Sequence, residues 1–363
     1  MRLGIDAREI QEGVYTGIGR SLINFLEYFE KLENEDVCVL FSSKKIPIVF
    51  NAKIKNVVLN EHITFVWDQW QLPHAVKKEG IDILYSPYYK VPLMKPCKMV
   101  SAIFDLMYLS FDAYCKRMSP FKKAYYASFG KAYTSSVDKI LTCSEYSKRD
   151  IQRIYGLGQE KIKIIPLSVN HIYKPQPGMS PINGRYLLYV GNFKFHKNVQ
   201  SIIEAFALIC AEFPDLKLVL AGPREHTYEE LFMLVHKKCL EQRVIFFGKV
   251  TEDDKPHLLY SAAELFVMPS LYEGFGLPPL EAMACGVPVV VSNTTSMPEV
   301  VKDAGFLVDP KEVTAIADAI KKVLNDDQLK KEMIAKGLRY AKEYESTKVS
   351  AQLYDFFKEV STH

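Results

Sequence analysis

The sequence predicts an α/β protein made of two doubly wound parallel-sheet halves, and three observations carry that reading. Short apolar runs suited to strands alternate with amphipathic runs suited to helices along the chain. The valine-rich runs on either side of residues 269–286 lack polar alternation, as strands covered on both faces do. Between residues 166 and 184, four prolines (166, 175, 177, 181) and two glycines break all periodicity, and a second strand–helix alternation then begins. The domains are therefore set at 1–170 and 171–345, with a tail at 346–363.

In the first half, strands are expected over residues 3–7, 37–41, 57–59, 83–85, 99–104, 139–142 and 161–165. Helices are expected over 21–31, 68–79, 119–136 and 144–155, where apolar positions recur at the helical period. In the second half, strands at 186–190, 216–221 and 244–247 alternate with helices at 199–212, 228–239 and 255–263. Helices at 310–324, 328–343 and 346–360 close the chain.

Residues 263–291 read as a buried strand, a glycine- and proline-rich elbow, a short helix, a glycine stop and a second buried strand. Pro278 and Pro279 suit a helix start, where a missing N–H costs nothing, and Gly286 suits its end. Free N–H groups of the elbow Gly274-Phe275-Gly276-Leu277, with the positive end of the helix, make an anion site. Gly274 and Gly276 allow close backbone approach. Glu273 and Glu281 flank that helix start; they suit hydroxyls, not a bare phosphate. A ligand with both phosphates and hydroxyls is a nucleotide sugar. The plainer alternative makes Glu281 a helix-dipole partner and Glu273 a loop charge.

The run Glu273-Gly-Phe-Gly-Leu-Pro-Pro-Leu-Glu281, with seven residues between its glutamates, resembles the signature of retaining glycosyltransferases of family four. The likeness covers nearly the whole chain, more strongly its second half. It implies the GT-B fold, two Rossmann-like domains facing across a cleft: an N-terminal acceptor-binding domain, a C-terminal nucleotide-sugar domain, and a tail helix crossing back to the first domain. It also implies a hexosyltransferase, with mannose from GDP-mannose as the donor sugar, in the style of mannosyltransferases of polysaccharide synthesis. Glu273 then grips the transferred sugar and Glu281 the ribose. Members usually need no bound metal or other cofactor.

Four further sites are weighed. Gly13-Val-Tyr-Thr-Gly17-Ile-Gly19-Arg20 follows the first strand, and Gly17 and Gly19 permit a tight loop over a phosphate, with Arg20 adding charge before a helix. A plain turn is the alternative, and a dinucleotide fingerprint fails for want of a third glycine. In Gly191-Asn192-Phe-Lys194-Phe-His196-Lys197-Asn198, a lysine at the first turn of a helix suits the dipole poorly, so Lys197 serves a ligand or is a solvated charge. The resemblance makes it a pyrophosphate ligand and puts Asn192 where many relatives have an arginine. It also assigns Asp105 to a donor or acceptor hydroxyl and puts Phe104 where relatives carry a histidine; an aromatic packs on a sugar but moves no proton. Gly248 lowers strand stability and is better explained by close approach, with Val250 beyond it; in similar enzymes backbone there reads the base.

Residues 114–133 carry Lys116, Arg117, Lys122, Lys123 and Lys131 with no acid, and Phe121, Tyr125, Phe129 and Tyr133 at i, i+4 spacing. Such a helix suits an anionic membrane surface presenting a lipid-linked acceptor. Alternatively, the aromatic stripe is core and the lysines are solvated.

At 363 residues, 48% hydrophobic and 25% charged, the chain has the composition of a globular protein of two domains. A net charge of +3 gives no ground for nucleic acid as a partner. Seven scattered cysteines without a C-x-x-C pair read as reduced thiols of a cytoplasmic protein. Histidines 62, 74, 171, 226, 236 and 257 show no ligand spacing, so no metal site is expected. No leader is expected, because Met1-Arg2 runs straight into a strand, and no run approaches the roughly 20 apolar residues of a membrane span. The partners expected are a nucleotide sugar, a saccharide or lipid-linked acceptor, and peripheral contact with the inner face of a membrane. A silent sugar-nucleotide-binding subunit and an epimerase are the alternatives.

Overall fold

A parallel sheet needs crossover helices on its faces, and this chain builds two such sheets, each in its own unit. The structure, a computed structural model, describes residues 1–10, 17–116, 118–225, 227–250 and 255–362. Part of the first glycine loop (residues 13–16), Arg117 and His226 therefore lie outside the described residues.

Unit 1 comprises Met1–Ser168 and Ser346–His363. Its strands are β1 (Arg2–Asp6), β2 (Val37–Ser42), β3 (Ile54–Val58), β4 (Ile83–Ser86), β5 (Lys98–Ala102), β6 (Lys139–Thr142) and β7 (Ile162–Ile164). They pair in parallel in the order β3-β2-β1-β4-β5-β6-β7. Order reverses between β1 and β4, which makes that gap the switch point. One face packs Phe25, Phe29 and Leu40 against Phe356 and Phe357 of the tail helix Ser346–Thr362. The Phe25 and Phe357 rings meet edge to face at 5.7 Å.

Unit 2 comprises Val169–Glu345. Its strands β8 (Tyr186–Val190), β9 (Lys217–Ala221), β10 (Val244–Gly248), β11 (Leu265–Met268), β12 (Val289–Ser292) and β13 (Gly305–Val308) are ordered β10-β9-β8-β11-β12-β13, all parallel. Its switch point lies between β8 and β11. Every residue of β11 and β12 is buried, as their unalternating apolar runs foretold.

Several elements differ from expectation, among them the short helices Met107–Ser110, Asp112–Cys115 and Met297–Val301, which were not expected. The helix expected from residue 21 begins at Gly17, so Gly17 and Gly19 sit in the first turn of Gly17–Glu30 and not in a loop. The helix expected at 68–79 is a composite of Thr64–Val66, a π-helical turn Trp67–Gln71, and Leu72–Lys78. Pro73 has no N–H to give, and the N–H of Leu72 reaches back to the Trp67 carbonyl. Strand β13 was not expected; it is a short edge strand that is only half covered.

Candidate functional site

In unit 2, two loops that leave β8 and β11 on either side of the switch point converge. After β8 the chain makes a tight turn at Phe195–Lys197, and Asn198 adopts a left-handed conformation (φ 57°) before the helix Val199–Ile209. That conformation is unusual for a residue with a side chain, and asparagine is among those that tolerate it. Asn198 Nδ2 donates to the carbonyls of Pro269 at 3.0 Å and Pro310 at 2.7 Å. The Leu271 N–H donates to the His196 carbonyl at 2.7 Å. The turn after β8 is thus stapled to the loop after β11.

That staple brings Lys197 Nζ to 2.6 Å from Glu273 Oε1, with both side chains mostly buried. The lysine therefore lies just before the N-cap residue Asn198 and not in the first turn of the following helix. Glu273 is positioned from behind: its N–H donates to Thr295 Oγ1 at 3.2 Å, and Ser296 Oγ lies 3.0 Å from its carbonyl and 2.8 Å from that of Phe275. The neighbouring Tyr189 is buried, and burial, with the Glu273 charge added, raises its phenol well above the usual range. Its hydroxyl donates to the Asn192 carbonyl at 2.7 Å.

The helix expected after the elbow runs from Leu277 to Ala284. Gly276 precedes it with φ 109°, and a methyl group there would lie 2.0 Å from Met297 Cε. The side chain of Phe275 points away from solvent and meets Tyr344 edge to face at 5.9 Å. Gly274 and Leu277 flank it at the helix start, where N–H groups are left without helical partners. Glu281 lies in the second turn, only 2% exposed, and accepts a hydrogen bond from the Tyr260 hydroxyl at 2.8 Å. Both glutamates of the sequence run are thus in place around one helix start, Glu273 beside a lysine and Glu281 beside a tyrosine.

The remaining residues divide by position. Asn192 Oδ1 accepts from the Lys194 N–H at 3.2 Å and so shapes its own loop. His196 is buried, with its carbonyl in the staple. Gly248 ends β10 with φ 90°, in open space, where the register against β9 shifts; Val250 follows, half-buried. In unit 1, Asp105 is exposed just beyond β5, and its Oδ1 accepts from the Met107 N–H at 3.0 Å. The Phe104 carbonyl accepts from Ser147 Oγ at 2.8 Å. Gly17, Gly19 and Arg20 open the first helix.

Sequence reasoning missed a network at the unit 1 switch point. Arg8, just past β1, bonds Asp6 and Asp68 at 2.7 Å each and Glu61 at 3.2 Å, and its guanidinium lies 3.8 Å from the centre of the Trp67 ring. Burial pushes the Asp6 carboxyl above its usual range against the pull of Arg8. From the β4 side, the Tyr88 hydroxyl donates to Glu9 Oε2 at 2.7 Å. Charged residues at the end of an apolar strand, Asp6 and Arg8, were the available signal.

Among the described residues, no group of three or more histidine, cysteine, aspartate or glutamate side chains is arranged to hold a metal ion. No described helix is long and apolar enough to cross a membrane.

Residues 175–340 match the family described as Glycosyl transferases group 1, and residues 15–171 match Glycosyltransferase Family 4. O-antigen chain mannosyltransferase B of Escherichia coli is 37% identical over 236 residues, 61% of this chain and 61% of that protein, so the match spans under two thirds of that relative. O-antigen chain mannosyltransferase RfbU of Salmonella typhimurium is 26% identical over 298 residues, 82% of this chain and 78% of its own. Sucrose-phosphate synthase from Thermosynechococcus elongatus superposes with a TM-score of 0.82 over 99% of this chain and 98% of that one; at 20% identity this likeness concerns the fold. With one family match on each of its two parallel-sheet units, the chain belongs to the family-four glycosyltransferases of GT-B fold.

Proposed function

We propose that the protein is a retaining hexosyltransferase that moves mannose from GDP-mannose to a hydroxyl of a saccharide or lipid-linked saccharide. The observation that carries this reading is the Lys197–Glu273 pair at the start of the helix Leu277–Ala284. A diphosphate at that helix start draws Lys197 Nζ off the carboxylate and onto phosphate oxygens, and Glu273 is then left to accept hydroxyls of the sugar. As the bond from the sugar to the diphosphate breaks, negative charge grows on the leaving oxygen. Lys197, the elbow N–H groups and Arg20 are the donors assigned to it. The acceptor hydroxyl attacks from the face that the diphosphate leaves, and its proton passes to the departing phosphate oxygen. Asp105 holds a hydroxyl of donor or acceptor, Glu281 the ribose, and the backbone from Gly248 to Val250 the base. Because these groups cover the diphosphate charge, no metal is included, and transfer should persist in excess chelator.

The choice of mannose rests on the two relatives named as O-antigen mannosyltransferases. The reading includes a saccharide or lipid-linked saccharide acceptor and, with the latter, peripheral contact with the inner face of a membrane. Its test is turnover of labelled GDP-mannose, UDP-glucose and ADP-glucose with a lipid-linked saccharide. Label moving from GDP-mannose alone supports the reading, and no transfer from any of the three contradicts it. A silent nucleotide-sugar-binding subunit is the rival reading, favoured by Phe104 in a position without proton chemistry and by the Asn192 side chain bonding its own loop. Such a subunit raises its melting temperature with nucleotide sugar and releases no GDP.

A further inference from the structure

The turn that carries Lys197 has a second side. Lys197 meets Glu273, whereas Lys194, Phe195 and Asn198 line a cleft of about 420 Å³ between the start of helix Val199–Ile209 and helix Tyr228–Lys237. The cleft lies wholly within unit 2, and the elbow at 274–277 takes no part in its lining. Its volume falls within the range of small-ligand sites, about 300–1,000 Å³.

Helix Tyr228–Lys237 buries Tyr228, Leu231 and Val235. Glu230, Met233, Leu234 and Lys237 are left as a strip at i, i+3, i+4 and i+7 along the cleft. From Thr227 to Lys237 the strip is about 15 Å long, at about 1.5 Å per residue. The buried side chains of Val199 and Leu231 give the cleft an apolar base. Above it Phe195 is 45% exposed, whereas Phe193, two residues earlier, is 1% exposed. One loop thus sends one ring into the core and offers the other to the cleft, beside the half-buried Leu234.

The polar groups around this base are of mixed kind: Lys194 and Lys237 are cations, Glu230 an anion and Gln200 an amide. Among the described residues, no side chain pairs with those of Lys194, Glu230 or Lys237. A simple anion in the cleft would meet Glu230, and a simple cation would meet two lysines. An apolar peptide segment would cover all three charges without pairing them. A neutral chain of sugars suits both signs, because its hydroxyls donate to a carboxylate and accept from ammonium groups. Its C–H faces can rest on Phe195 and Leu234. The length of the strip calls for several linked rings instead of one.

We propose that this cleft is a second saccharide site, which holds a neutral oligosaccharide against Phe195, with hydrogen bonds to Lys194, Glu230 and Lys237, and does not react with it. The site stands apart from the elbow that the proposed transfer uses. It rests on that reading only for the choice of mannose as the probe sugar.

Two methionines report on the two sites separately: Met233 lines the cleft, and Met297 lies against Gly276 of the elbow. The test is an NMR titration of the full chain, labelled at its methionine methyl groups, with linear mannotriose, mannose, inorganic phosphate and GDP-mannose. Mannotriose is expected to shift Met233 and not Met297, with a Kd on the order of 1 mM, and mannose to bind at least about tenfold more weakly. Glu230→Ala with Lys237→Ala should weaken mannotriose binding by at least about fivefold. That double variant should keep the parent melting temperature, because both side chains are exposed and unpaired. Phe195→Ala should weaken binding comparably. A Met233 resonance unmoved by mannotriose, or unchanged affinity in both variants, overturns the proposal. A Met233 shift with phosphate and not with mannotriose also overturns it, by making the cleft an anion site. If GDP-mannose leaves Met297 unmoved while mannotriose moves Met233, the proposed transfer loses its donor site and the cleft stands.

Discussion

Lys197 Nζ and Glu273 Oε1 lie 2.6 Å apart, joining two loops that leave neighbouring strands on opposite sides of the unit 2 switch point. The pair satisfies both charges before any ligand arrives; in the proposed reading each group then meets a different part of a nucleotide sugar. An ion pair this well covered is costly to break on one side, because the remaining charge stays behind in a partly dry site.

Lys197→Ala is expected to lower transfer by about 10²–10³-fold in kcat, the scale for removing one donor to a developing charge. It should also reduce stability by about 1–3 kcal/mol, less than for a fully buried pair, because both side chains keep some contact with water. Lys197→Arg should recover the stability more than the rate, since a planar fork cannot reproduce the point charge. Thermal unfolding and steady-state kinetics on the three proteins check this.

Two glycines separate space from backbone. Gly276→Ala meets both a positive φ and Met297 Cε at 2.0 Å, whereas Gly248→Ala meets a positive φ in open space. We expect Gly248→Ala to cost about 1 kcal/mol from conformation alone and Gly276→Ala about 2–4 kcal/mol. Adding Met297→Ala to Gly276→Ala should return part of the loss in a double-mutant cycle; strict additivity would remove the steric account.

Tyr260→Phe takes a hydrogen bond from the buried carboxylate of Glu281. Stability should fall by about 1–3 kcal/mol. With Glu281 assigned to the ribose, KM for the donor should rise while kcat changes little, and a change confined to kcat would move Glu281 out of that role.

Acid should loosen the tail helix of unit 1. Burial opposes ionisation of Asp36, but hydrogen bonds from the N-terminal ammonium, Tyr354 and Lys358 outweigh it and hold the carboxyl at about 2. The folded value is thus depressed below the unfolded value of about 3.9. Its contribution is fully present above that value and is lost as pH falls towards 2. Asp36→Asn should flatten the loss of stability between about pH 4 and pH 2; an unchanged acid slope would show that other carboxylates carry it.

The sequence was most legible where punctuation is strong. Pro278, Pro279 and Gly286 bound the helix Leu277–Ala284 almost to the residue, and unalternating apolar runs marked β11 and β12 as covered on both faces. Strand β13 escaped because four residues at a half-covered edge carry too little periodicity to register. The Lys197–Glu273 contact could not be read either. It depends on Asn198 holding φ 57° and reaching carbonyls 71 and 112 residues away, and nothing local encodes such a staple. The Arg8 network likewise joins residues 53 and 60 positions apart. Side-chain types announced the chemistry; the partners were set by topology.

The most direct test of the central claim is a single-turnover assay with GDP-[14C]mannose and a lipid-linked saccharide acceptor, run on the parent and on Glu273→Gln of matched melting temperature. The account predicts label on the acceptor with the parent, in the anomeric configuration of the donor, and at least about a hundredfold slower transfer with Glu273→Gln. Label that stays on the nucleotide, or transfer at equal rates by the two proteins, would contradict it.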